Sequence, residues 1–215
     1  MQSWKRIVGV MLCAGVLFVG HAMSQDKPAP GEPGGDIPDM QTMMKKWMAT
    51  VKPGPNHKWL EQFVGKWNTT TRMWMDPNAP PMETKGTAEM TMLLGGRYLQ
   101  QHVKGEVLMP DQTGQMKKVP YEGMGMTGYD NYRHICVGNW QDNITTVMLT
   151  FSGQHDPAGK KLTMYGEMDE PMLDMVARHV KYVTAVENEK KFIFTIYDLA
   201  AGDNYKVLEI TYERE

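Results

Sequence analysis

Apolar and polar positions change rhythm along this chain of 215 residues, first following a helix and then a strand. Met40, Met43, Met44, Trp47, Met48 and Val51 recur at helical spacing with Lys45 and Lys46 between them, and Asp39 stands where an N-cap belongs. Pro53-Gly54-Pro55 ends that amphipathic helix. A second short helix is expected from His57 to Val64, running through Phe63-x-Gly65-x-Trp67 into an extended segment. Beyond Trp67 the period is two, as in Val147-x-Leu149-x-Phe151 and Phe192-x-Phe194-x-Ile196, and no helix-length stretch interrupts it. Ten strands are separated by turn signals at Asp76-Pro77-Asn78, Gly95-Gly96, Pro110-Asp111, Asp130-Asn131, Asp142-Asn143, Asp156-Pro157-Ala158-Gly159, Asp169-Glu170-Pro171, Asn188-Glu189 and Gly202-Asp203-Asn204. The fold class is therefore all-β, an antiparallel meander of roughly ten strands with a short N-terminal helical segment. Such a meander protects its edges by closing into a barrel. At ~8 or more strands the interior holds side chains or one small ligand.

The N-terminal composition adds an address. Lys5 and Arg6 precede an apolar run from Ile7 to Gly20 and the small residues of Ala22-Met23-Ser24, the three regions of a secretory signal. Residues 1–24 are thus expected to be a signal peptide cleaved after Ser24, which places the mature chain in the periplasm or outside the cell. The run is shorter than the ~20 apolar residues of a spanning helix, so no stable membrane insertion is expected after cleavage. Residues 25–38, rich in Pro and Gly, cannot bury enough apolar surface to order themselves and read as a disordered linker. Residues 39–56 then carry the amphipathic helix and a connector, and residues 57–215 the barrel. Lys45 and Lys46 make a thin basic face for a membrane surface, so the helix is expected to pack across the mouth of its own barrel, where it would serve as a lid.

Charge and composition exclude several classes. The formal net charge is −2, or −4 once Lys5 and Arg6 are removed, and no basic stripe is present to neutralise phosphates, so nucleic acid is not an expected partner. Cys136 is the lone cysteine beyond the N-terminal segment, which leaves no internal disulfide; its place between Ile135 and Val137 marks a buried structural thiol. Gly123-x-Gly125-x-x-Gly128 matches the dinucleotide fingerprint as a string, but Tyr129-Asp130-Asn131-Tyr132 reads as a hairpin turn where that fingerprint needs a helix. Ser152 lies outside any Gly-x-Ser-x-Gly elbow, and His102, His134, His155 and His179 are too scattered for a linear zinc pattern. No catalytic residue, cofactor or metal is assigned. The 21 methionines, with Met73-x-Met75, Met90-x-Met92 and Met124-x-Met126 as same-face pairs, give copper buffering a chemical logic; an adaptable apolar lining is the simpler use of them.

Several short motifs carry a family resemblance. Phe63-x-Gly65-x-Trp67 resembles the opening motif of lipocalins, whose tryptophan packs across the closed end of the barrel. His57-Lys58-Trp59-Leu60, Leu94-Gly95-Gly96-Arg97-Tyr98-Leu99, Tyr121-Glu122-Gly123-Met124-Gly125 with Thr127-Gly128-Tyr129-Asp130, Lys161-Leu162-Thr163 and Val207-Leu208-Glu209-Ile210-Thr211-Tyr212 resemble the bacterial DUF1579 proteins over about residues 40–213. That resemblance implies a lipocalin-like (calycin-like) barrel and no established activity.

A pocket in such a barrel is mostly apolar with a few placed polar groups. Arg97, Tyr121, Trp140, Arg178, Tyr182 and Glu209 are the candidate ligand-binding residues. Arg178, between Val176 and Val180, and Glu209, between Val207 and Thr211, are read as inward charges that either pair with each other or clamp a ligand; the guanidinium suits a carboxylate or phosphate. The leading function is an exported binder of a small, largely apolar or amphipathic molecule. The alternatives are an interaction module with a filled barrel and an unidentified protein partner, an enzyme using the same interior, and a copper binder.

Overall fold

The structure, a computed structural model, describes residues 37–76 and 79–215. The expected signal peptide and nearly all of the expected linker lie outside the described residues. Two helices open the rest of the chain: α1 (Met40–Val51) and α2 (Pro55–Leu60), the latter continued by a 3-10 turn at Glu61–Phe63. Ten strands follow, β1 (Gly65–Met73), β2 (Met82–Leu93), β3 (Tyr98–Pro110), β4 (Met116–Asp130), β5 (Ile135–Asp142), β6 (Leu149–His155), β7 (Lys161–Glu170), β8 (Met175–Asn188), β9 (Lys191–Asp198) and β10 (Lys206–Arg214). Each pairs antiparallel with the next, and β10 returns to β1 from Trp67↔Arg214 to Met73↔Leu208, so the barrel is closed and has no free edge. Each of the nine turn signals falls between two consecutive strands.

One end of the barrel is plugged by the helix-to-strand segment. Leu60, Phe63 and Trp67 are almost wholly buried and pack with Met90, Leu99, Phe192 and Tyr212. Trp67 Nε1 donates to Phe63 O (2.8 Å), and Phe192 meets the indole edge-on at 4.8 Å between centroids. The outer face of that indole is covered by the Arg214 guanidinium at 4.1 Å. Arg214 also donates to the carbonyls of Gln62 (2.7 Å), Val64 (2.7 Å) and Glu189 (3.0 Å), tying the last strand to the first. Gly65 takes φ +133, and a Cβ there would stand 2.6 Å from Arg214 Nη1, so the bend and the close approach both require glycine. A second apolar cluster, Cys136, Leu162, Met164, Val180 and Tyr182, fills the wall formed by β5, β7 and β8. Burial pushes the Cys136 thiol up to about 11, the inert behaviour its strand context implied.

Helix α1 does not cover the mouth. Its C-terminal carbonyls are held by the turns beside the plugged end: Arg97 Nη2 donates to Val51 O (2.7 Å), and Asn131 Nδ2 to Thr50 O (3.0 Å) and Lys52 O (2.9 Å). No residue of α1 is buried, and Met40, Met44 and Met48 are more than half exposed. The expected lid is therefore a bracket on the closed end. Its apolar stripe lacks a groove there because the barrel end is already sealed by Leu60 and Trp67.

Candidate ligand-binding site

Strand alternation directs one row of each strand inward, and these rows surround a cavity of about 350 Å³ inside the barrel. Its walls run from Leu60 and Phe63 at the plugged end to Ile144 and Leu149 at the other, and they are mainly apolar. Two aromatic rings shape the wall formed by β4, β5 and β6. The Trp140 ring lies against Gly123 and Gly125 of β4, where an added Cβ would come within 2.3 and 2.7 Å of the indole. The Phe151 ring occupies the matching recess at Gly138, 2.3 Å from where a Cβ would stand. These glycines accommodate flat rings, which explains the string that imitates a nucleotide fingerprint: all three of its glycines lie within β4, and the turn to β5 follows.

Polar groups punctuate the lining. Trp140 Nε1 donates to Tyr121 Oη (3.1 Å). Burial, reinforced by the negative charge of Asp142, pushes the Tyr121 hydroxyl up to about 12. Gln101 Nε2 donates to Tyr212 Oη (2.8 Å), and burial likewise raises that phenol far above its ordinary value. Tyr182 is 2 % exposed, its hydroxyl has no hydrogen-bond partner among the described residues, and burial pushes it up to about 12. The hydroxyls of Tyr121, Tyr182 and Tyr212 thus remain protonated across the physiological range.

Of the six expected site residues, Tyr121, Trp140 and Tyr182 line the cavity. Arg97 lies in the turn between β2 and β3, donating to Leu94 O (2.9 Å) and to the end of α1, away from the lining. Arg178 shares the inward parity of Val180 and Tyr182, but it pairs with Asp198 rather than Glu209, and the pair is buried, with side chains 16 % and 7 % exposed. Its Nε is buried without a partner among the described residues. Glu209 points outward, pairing with Lys206 (2.8 Å) and Arg72 (3.5 Å), because Leu208, Ile210 and Tyr212 take the interior positions of β10. Sequence reasoning missed Arg214 and Asp198. Asp198 could have been found, since it ends the inward row Phe192-x-Phe194-x-Ile196.

The other candidate chemistries disperse. Ser152 has the parity opposite to the cavity-lining Phe151, while the His155 ring stacks on Trp59 with 5.4 Å between centroids and its Nε2 meets Asn56 Oδ1 at 2.7 Å. His102 pairs with Glu122 (2.6 Å) and His179 with Glu167 (3.9 Å), neither pair lining the cavity. Met90 is in the core, Met73 lines the cavity, and Met124 and Met126 are exposed, so the methionine pairs do not converge.

The fold has solved counterparts of low sequence identity. Rv2717c of M. tuberculosis matches with a TM-score of 0.50 and 11% identity, over 76% of this chain and 99% of that one. The S-type phycobiliprotein lyase CPES of Guillardia theta matches with a TM-score of 0.41 and 10% identity, over 83% and 98% of the two chains. A designed fluorescence-activating β-barrel matches with a TM-score of 0.38 and 12% identity, over 73% and 96%. No curated protein matches the sequence. The family described as "Protein of unknown function (DUF1579)" matches residues 52–214. With the match covering most of the chain, and with a closed ten-stranded barrel built from those residues, this protein belongs to the DUF1579 family.

Proposed function

We propose that this protein is an exported binder of a small, largely apolar molecule held inside the barrel. The observation that carries the reading is the cavity of about 350 Å³, which the interior side chains leave open where a filled module would close it. Its size falls in the range of small-molecule sites, and its few convergent polar groups are the kind that orient a ligand. Tyr182 offers one of them. A buried hydroxyl without a partner costs about 1–3 kcal/mol, which a ligand oxygen or nitrogen offsets. Export is supported by the charged, apolar and small-residue order of residues 1–24.

Native mass spectrometry of the protein taken from the envelope fraction of its own cells tests both parts together. The expected species begins at Gln25 and carries one reproducible small-molecule adduct. A chain that retains residues 1–24 removes the export proposal, and a consistently bare barrel removes the ligand.

A further inference from the structure

The inward polar groups at the mouth of the cavity gather on two strands. Adjacent strands β4 and β5 bring three inward side chains together there: Tyr121, Trp140 and Asp142. Trp140 donates to the Tyr121 hydroxyl, and the negative charge of Asp142 bears on that same hydroxyl. The remaining partners of Asp142 are neutral: its Oδ1 accepts from Ile144 N–H (3.2 Å), Thr145 N–H (3.0 Å) and the Thr145 hydroxyl (3.1 Å). Among the described residues no lysine, arginine or histidine forms an ion pair with it.

The neighbouring cations are paired with other carboxylates or exposed. Arg178 is held by Asp198. Lys104 and Lys85 also border the cavity, but each has the parity opposite to the inward row of its strand: the Lys104 ammonium group meets Glu122 (3.5 Å), and Lys85 is exposed. Asp142 therefore stands at the mouth of a mainly apolar cavity without a counter-ion among the described residues, two positions along β5 from Trp140, whose indole lies on Gly123 and Gly125 and also lines the cavity; Glu106, the other carboxylate of the lining, is paired with Lys118 (2.8 Å). That combination suits an ammonium ion, which is attracted to the carboxylate and to the π face, while a carboxylate or phosphate is repelled.

We propose that the ligand is a cationic amphiphile, an alkyl or aryl amine whose apolar body occupies the barrel and whose ammonium group sits at the mouth between Asp142 and the Trp140 ring. The proposal rests on the reading of the cavity as a ligand site, and it reverses the sign of the expected ligand, because the guanidinium expected to hold an anion is already neutralised by Asp198.

Fluorescence of the neutral probe N-phenyl-1-naphthylamine bound to the full chain tests this by displacement with decylammonium, decanol and decanoate, three ligands of matched chain length. Decylammonium is expected to displace the probe at about tenfold lower concentration than decanol, with decanoate the weakest. In Asp142→Asn the amide keeps an acceptor oxygen for the Ile144 and Thr145 donors, and the preference for decylammonium over decanol is expected to disappear. Equal displacement by decanol and decylammonium, preference for decanoate, or a preference that survives in Asp142→Asn overturns the inference and leaves the cavity as a binding site. Failure of the probe to bind at all overturns the underlying ligand reading and this inference with it.

Discussion

Tyr182 shows how a single residue is stretched between packing and solvation. Its ring is packed by Phe151 at 4.9 Å and Phe194 at 6.2 Å, while its hydroxyl is buried with no partner among the described residues. Removing an unsatisfied hydroxyl while keeping the ring relieves a desolvation cost. Tyr182→Phe is therefore expected to be stabilised by up to about 1 kcal/mol in urea denaturation, and a comparable loss would show that the hydroxyl has a partner in solution. The same residue was legible from its strand context, as were Tyr121 and Trp140, because large aromatic side chains in alternating rows point to an interior. Charges were harder to place. Val207-x-Glu209-x-Thr211 and Leu208-x-Ile210-x-Tyr212 are both plausible inward rows; the more apolar row took the interior, which turned Glu209 out to Arg72 and Lys206. Arg97 was misassigned for another reason: its acceptors are backbone carbonyls, one of them 46 residues away, and a carbonyl has no signature in a sequence.

At the scale of elements, β4 and β5 are shaped by what their glycines omit. A Cβ at position 125 would stand 2.4 Å from Asn139 O and 2.7 Å from the Trp140 ring, so neither the neighbouring backbone nor the ring has room for it. Gly125→Ala is expected to lose about 1–3 kcal/mol of stability by overpacking, read from urea denaturation, and a variant as stable as the parent would show that β4 and β5 separate freely. The turns could be read because Asp, Asn, Gly and Pro mark them by local backbone chemistry. The recess could not, because a glycine and the ring that lies on it are joined only by strand register: Gly125 faces Trp140 across β4 and β5. Helix α1 was legible as a helix, but its position was not. Periodicity identifies an apolar stripe and says nothing of which end of a barrel its last carbonyls reach.

Across the whole molecule, the plugged end concentrates what holds the barrel shut. His57 belongs to that end: buried, it accepts from Gly54 N–H at Nδ1 (3.1 Å) and meets the Tyr129 ring edge-on with 6.0 Å between centroids. Burial, with a smaller contribution from the Arg97 charge, lowers its pKa below the ordinary histidine value. The unfolded chain therefore takes up this proton at higher pH than the folded one. The contribution of neutral His57 is fully present above about pH 6.5 and is lost as pH falls through the lowered folded value. The urea midpoint is expected to fall between pH 7.5 and 5, and His57→Gln is expected to flatten that part of the profile; an unchanged slope in the variant assigns the loss to other groups. Trp67, Arg214 and the bracket of α1 all crowd this same end, whereas Asp142, Trp140 and the turns around them frame the other. A mutation at the mouth can thus leave the plug untouched, so the lining of the barrel is free to drift while the end that closes it is inherited unchanged.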